Sequence, residues 1–106
     1  MNSVDKILSS CDETLRAYYG SRYRGLYLFG SVARGEQDAE SDLDLLVLLE
    51  EPFDMLHELR CLVEVLHPVQ LESDRLISAK PASEEALYSG KLQLYRNVLA
   101  EGMEVA

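Results

Sequence analysis

At 106 residues with a formal net charge of −9, the chain fits one small domain, residues 1–106, and has no room for a second. Nineteen acidic against ten basic side chains argue against a nucleic-acid face, which needs basic groups to neutralise phosphate, and against docking on anionic membranes. Cys11 and Cys61 fit neither a metal pattern nor a secreted disulfide framework, and the chain does not open on a basic-then-apolar leader, so a cytoplasmic protein is expected.

An amphipathic helix is predicted over Ser3–Tyr19, where Val4, Ile7, Leu8, Cys11, Leu15, Tyr18 and Tyr19 recur at helical spacing. Asn2 suits its cap and Gly20 its stop. Leu26–Phe29 is short, apolar and aromatic, a buried strand ending at Gly30. Asp42-Leu43-Asp44 then leads into Leu45–Leu49, apolar on both faces as a central strand must be when it is covered on two sides. From Asp54 to Leu66 the spacing of Met55, Leu56, Leu59, Leu62, Val63 and Leu66 predicts a second helix, which His67-Pro68 should stop. Val69–Glu72 alternates apolar and polar and reads as a third strand with one wet face. Ser73–Ser83 reads mostly as loop. Ser83 suits the cap of a short helix over Glu84–Tyr88, a last helix is expected over Lys91–Ala100, and Met103–Val105 fits an edge strand. The order α-β-β-α-β-α predicts an α/β (α+β) fold, a small mixed sheet with helices packed on it.

Chemistry concentrates between Gly30 and Asp44. Taken alone, Gly30-Ser31 is a turn, and Asp42 and Asp44 are a solvated strand entry. Together they make a different pattern. Alternate strand residues share a face, so the two carboxylates point the same way and repel unless a cation lies between them. Such hard oxygen donors suit Mg²⁺, which a protein usually shares with substrate phosphates. Gly30 lets backbone N–H groups approach a phosphate with no Cβ in the way, Ser31 adds a hydroxyl, and Arg34, about one turn on, suits phosphate oxygens.

In Leu28-Phe29-Gly30-Ser31-Val32-Ala33-Arg34-Gly35 and Ser41-Asp42-Leu43-Asp44-Leu45, with ten residues between Ser31 and Asp42, the chain resembles the minimal nucleotidyltransferases of the DNA polymerase β-like superfamily. The likeness extends from the leading helix to an ending of the type Tyr95-Arg96-Asn97-Val98-Leu99-Ala100-Glu101-Gly102. It implies Mg²⁺-dependent transfer of AMP from ATP to an acceptor hydroxyl, with Asp42 and Asp44 as metal ligands and Gly30 and Ser31 on the β- and γ-phosphates. The family usually adds a third acid on the next strand. Here Gln70 stands in the natural place for it, and Glu72, on the same face of the expected strand, is the candidate third catalytic and metal-binding carboxylate. The resemblance also implies a partner, a small helical HEPN-type protein that such a chain accompanies as antitoxin. So small a core offers no acceptor-binding domain of its own, so that surface should come from a partner or a second copy. The alternative is a binding module of the same fold, weak or inactive in catalysis, that neutralises the HEPN-type protein by complex formation.

Overall fold

In the computed structural model, which describes residues 3–35 and 41–106, the first apolar stripe forms helix α1 (Ser3–Tyr19). Val4, Leu8, Cys11, Leu15 and Tyr19 are buried along it, and Asn2, its expected cap, lies outside the described residues. A 3-10 turn at Gly20–Arg22 reverses the chain into strand β1 (Tyr23–Phe29), which starts before the apolar run because Tyr23 is itself buried. Strand β2 (Leu43–Leu49) pairs antiparallel with β1, setting Leu26 opposite Val47 and Phe29 opposite Asp44. After helix α2 (Met55–Glu72), strand β3 (Ile77–Ala82) lies parallel to β2 on its other side. Helices α3 (Glu84–Ser89) and α4 (Gln93–Glu101) follow, and strand β4 (Met103–Glu104) pairs antiparallel with the free edge of β1. The sheet order is β3-β2-β1-β4. Asp54 caps α2 through the His57 N–H at 3.0 Å, and Ser83 caps α3 through the Ala86 N–H at 3.0 Å, the latter as the sequence predicts.

The period of two along β2 sorts the core into two halves. Leu43, Leu45, Val47 and Leu49 face α1 and α2, packing with Leu15, Leu62, Leu66 and Val69. Leu46 and Leu48 face α3 and α4, packing with Leu87, Tyr95 and Val98. The central strand is therefore covered on both faces, as expected. Asp44 belongs to the second set by parity, and it stands where that core gives out at the start of β2.

The third strand is not Val69–Glu72. Helix α2 runs through Pro68 to Glu72, and the strand lies in the stretch expected to be loop. Pro68 removes one helical N–H and crowds the carbonyl of Glu64, but Leu62, Leu66 and Val69 continue one buried stripe at helical spacing. Gln70 secures the far end: its amide Nε2 donates to the Arg75 carbonyl at 3.0 Å, and its Oε1 accepts the Ile77 N–H at 2.7 Å. Gln70 thus closes the connection into β3 and holds no place on a strand. Proline at position 81 is tolerated because β3 is an edge strand.

Glu58 ties α1 to α2. Its carboxylate is 4% exposed and accepts the Tyr19 hydroxyl at 3.0 Å and the Arg22 Nη2–H at 2.8 Å. Burial pushes its pKa up, but the Arg22 and Tyr19 donors outweigh burial and hold the carboxyl below the ordinary range. A lowered folded pKa contributes stability above the unfolded value of about 4.3, lost as pH falls through the folded one. Glu58→Gln should therefore cost about 1–2 kcal/mol at pH 7, less than a fully buried pair because Arg22 is half-exposed. Thermal melts should show that gap constant from pH 6 to 8 and closing below about pH 4.5; a gap that widens in acid would refute the assignment.

Candidate active site

Strand β1 delivers Phe29 opposite Asp44, and the chain then turns at Gly30 with φ +81°. The turn over residues 31–35 is closed by Arg34 N–H to the Gly30 carbonyl and Gly35 N–H to the Val32 carbonyl, each at 3.2 Å, and anchored by buried Val32. Gly30 is required twice over. Its φ is one that L side chains rarely adopt, and a Cβ there would run into Asp44 Oδ2. The Asp44 carboxylate therefore lies directly against the backbone of the turn that carries Ser31 and Arg34.

Asp44 is half-buried, and its pKa is raised. Burial is the main cause; the Lys80 ammonium opposes it, the Asp42 carboxylate reinforces it, and Arg34 opposes it again. Asp42 is exposed just before β2. Both of its neighbours are held: Leu43 N–H donates to the Leu76 carbonyl at 2.8 Å, and Arg75 Nη1 donates to the Ser41 carbonyl at 3.0 Å. The Arg34 guanidinium reaches Glu101 on α4, Nη1 to Oε2 at 3.4 Å. Residues 36–40, the middle of the signature, lie outside the described residues. Two carboxylates, Asp44 on β2 and Asp42 just before it, the first desolvated and further raised by the charge of the second, beside a backbone cleared of any Cβ, form a donor set that fits a hard divalent cation shared with phosphate.

Residues 8–92, a span that contains the Gly30 turn and both aspartates, match the nucleotidyltransferase domain family. The chain belongs to that family. A candidate protein adenylyltransferase of Methanocaldococcus jannaschii is 32% identical over 100 residues, which cover 92% of this nucleotidyltransferase and 93% of the relative. A toxin–antitoxin structure with AMP-PNP superposes with TM-score 0.58 at 24% identity, over 93% of this chain and 72% of the other. The complex of tri-AMPylated Shewanella oneidensis HEPN toxin with MNT antitoxin superposes with TM-score 0.54 at 20% identity, over 100% and 72%. These two likenesses show a shared fold. Among the described residues no helix is long and apolar enough to cross a membrane.

In this nucleotidyltransferase Gly30 and Asp44 touch, Asp42 and Arg34 act electrostatically on Asp44, and Ser31 sits in the intervening turn. Glu72 does not join them through a strand. It is the last residue of α2 and borders a surface hollow with Lys6, Ile7, Ser10 and Asp74. The reason for expecting it as third acid, a strand face shared with Gln70, is therefore gone. Among the described residues no three His, Cys, Asp or Glu side chains gather as a metal site. The strand that flanks Asp44 sets Ser78 opposite it and Lys80 two residues on, on the same face. Sequence reading missed Lys80 and Arg75. The signal for β3 was there, in the alternation of Ile77 and Ala79 with Ser78 and Lys80, but Pro81 and the short length masked it.

Proposed function

We propose that this nucleotidyltransferase transfers AMP from ATP to a hydroxyl on a partner protein, with Mg²⁺ held by Asp42 and Asp44. The partner is a small helical HEPN-type protein, neutralised by the modification in the cytoplasm. The observation that carries the reading is the Asp44 carboxylate set against the Gly30 backbone, which brings a metal ligand and a phosphate-binding turn into contact. Further support comes from the relative named as a candidate protein adenylyltransferase and from the fold shared with toxin–antitoxin complexes, one holding AMP-PNP and another an AMPylated HEPN toxin.

The chain's own groups divide the work. Gly30 and Ser31 offer backbone N–H and hydroxyl donors to the terminal phosphates, and Arg34 adds positive charge. Asp42 and Asp44 would hold the cation at the start of the neighbouring strand, where the Leu43 N–H and the Arg75 guanidinium, each donating to a backbone carbonyl, steady the segment. When bound, Mg²⁺ supplies neutralisation of phosphate charge and acidifies the acceptor hydroxyl. The acceptor hydroxyl releases its proton to solvent as its oxygen attacks the α-phosphorus, the bond to pyrophosphate breaks and pyrophosphate leaves, and AMP remains as a phosphodiester on the partner. The −9 charge suits a basic partner and disfavours a nucleic-acid acceptor.

One observation favours a second reading, a binding module with weak catalysis: the strand beside Asp44 offers Ser78 and Lys80 on the same face, and no carboxylate. Incubation with α-labelled ATP, Mg²⁺ and the co-purifying helical protein separates the two. Label should appear on the partner in proportion to time and vanish with the metal chelated. A wild-type chain that binds its partner but passes it no label under any metal condition would establish the binding module instead.

A further inference from the structure

We infer that Lys80 is a nucleotide-phosphate ligand of this site and gives the chain an affinity for the triphosphate of ATP that needs no metal; the inference rests on the reading of the site as an ATP site. Lys80 pairs with Leu46 in the parallel β2–β3 register, one same-face step beyond the pair Asp44 and Ser78. Its side chain reaches across β2 towards β1, where its Nζ lies 6.0 Å from the centroid of the Phe29 ring. Phe29 stands opposite Asp44 and immediately precedes Gly30, so the ammonium hangs over the corner where carboxylate and phosphate turn meet.

Its partners there are weak. Among the described residues the Lys80 ammonium forms no hydrogen bond or ion pair; the Phe29 ring and the longer-range field of Asp44 are what hold it. An exposed ammonium set beside a ring, with its three donors unspent, is placed to receive an anion. The strand beside Asp44 thus presents a hydroxyl and a positive charge on this face, and no third acid. A third carboxylate would recruit more metal to neutralise phosphate; Lys80 supplies part of that neutralisation itself, as a compact point charge.

A purely structural role is the competitor, in which Lys80 only offsets the repulsion between Asp42 and Asp44. The experiment is calorimetric titration of the full chain with ATP in EDTA and again with Mg²⁺. Wild type should bind ATP measurably in EDTA; Lys80→Met should weaken that binding about tenfold or more, the size of one lost charge-assisted bond, and Lys80→Arg should restore most of it. The Lys80→Met loss should persist in the Asp44→Asn background, where there is far less repulsion left to offset. Unchanged metal-free binding in Lys80→Met, a loss that disappears with Asp44→Asn, or binding that depends wholly on Mg²⁺ would each overturn the inference and leave the nucleotidyl-transfer reading standing. A wild-type chain that binds no ATP with or without Mg²⁺ would overturn both.

Discussion

Asp44→Asn should lower the rate of AMP transfer about a thousandfold or more while leaving the protein as stable as wild type, or slightly more so. Both parts follow from one geometry. Asp44 is the half-buried carboxylate pressed against the Gly30 turn, so under the proposed function removing its charge removes the ligand that would join metal to triphosphate. Loss of a single preorganised donor to developing charge costs about 10²–10³ in rate, and a metal ligand does more than one such donor. Folding gains nothing comparable from this charge. Burial disfavours the ionised form, Lys80 offsets that only in part, and Asp42 adds repulsion. Asparagine keeps the shape and drops the charge. Initial rates with α-labelled ATP, beside thermal melts of the same preparations, test the pair of claims. More than a tenth of the wild-type rate, or a loss of stability above about 1 kcal/mol, would show that Asp44 is a structural residue.

What was legible in the sequence depended on how many residues repeated the same message. Five buried side chains spaced along α1 specify that helix to its last residue, and the unbroken apolar run of β2 announces a strand covered on both faces. The Gly30–Asp44 stretch was legible through its resemblance to a family signature, and the structure gives that spacing a physical reason: the turn needs a residue without Cβ at the very place where the carboxylate lands. The α2–β3 region failed for the opposite reason. Pro68 and the alternation Val69-Gln70-Leu71-Glu72 both signal the end of a helix locally, whereas tertiary contacts decide otherwise, through Val69 in the core and Gln70 bonded to Ile77 and Arg75. A strand expected at Val69–Glu72 leaves Ile77–Ala82, and Lys80 with it, to a loop. The sheet register alone reveals that a lysine neighbours the aspartates, because the two are separated by a whole helix in the chain.

Gly30→Ala should damage folding and chemistry together, and comparison with Gly35→Ala separates the causes. Both glycines adopt left-handed backbone, φ +81° and +74°, so alanine at either costs about 1–2 kcal/mol in local strain. The surroundings differ. Among the described residues a Cβ at position 35 meets nothing within 4 Å, so strain is the cost expected there. At position 30 the new methyl must displace the Asp44 carboxylate, adding to the strain and moving the proposed metal ligand. A shift of about 1 Å in a positioned group can cost 10² in rate. Gly30→Ala should therefore destabilise the chain by about 2–3 kcal/mol and lower AMP transfer at least a hundredfold. Gly35→Ala should lose a similar share of stability to strain yet keep most of its rate at temperatures where it remains folded. The Asp44→Ala, Gly30→Ala double variant tests the collision itself. With the carboxylate gone the methyl has room, so the stability cost of Gly30→Ala should fall to that of Gly35→Ala. If the cost stays the same in both backgrounds, Asp44 does not press on Gly30 in solution, and the contact between metal ligand and phosphate turn loses its basis.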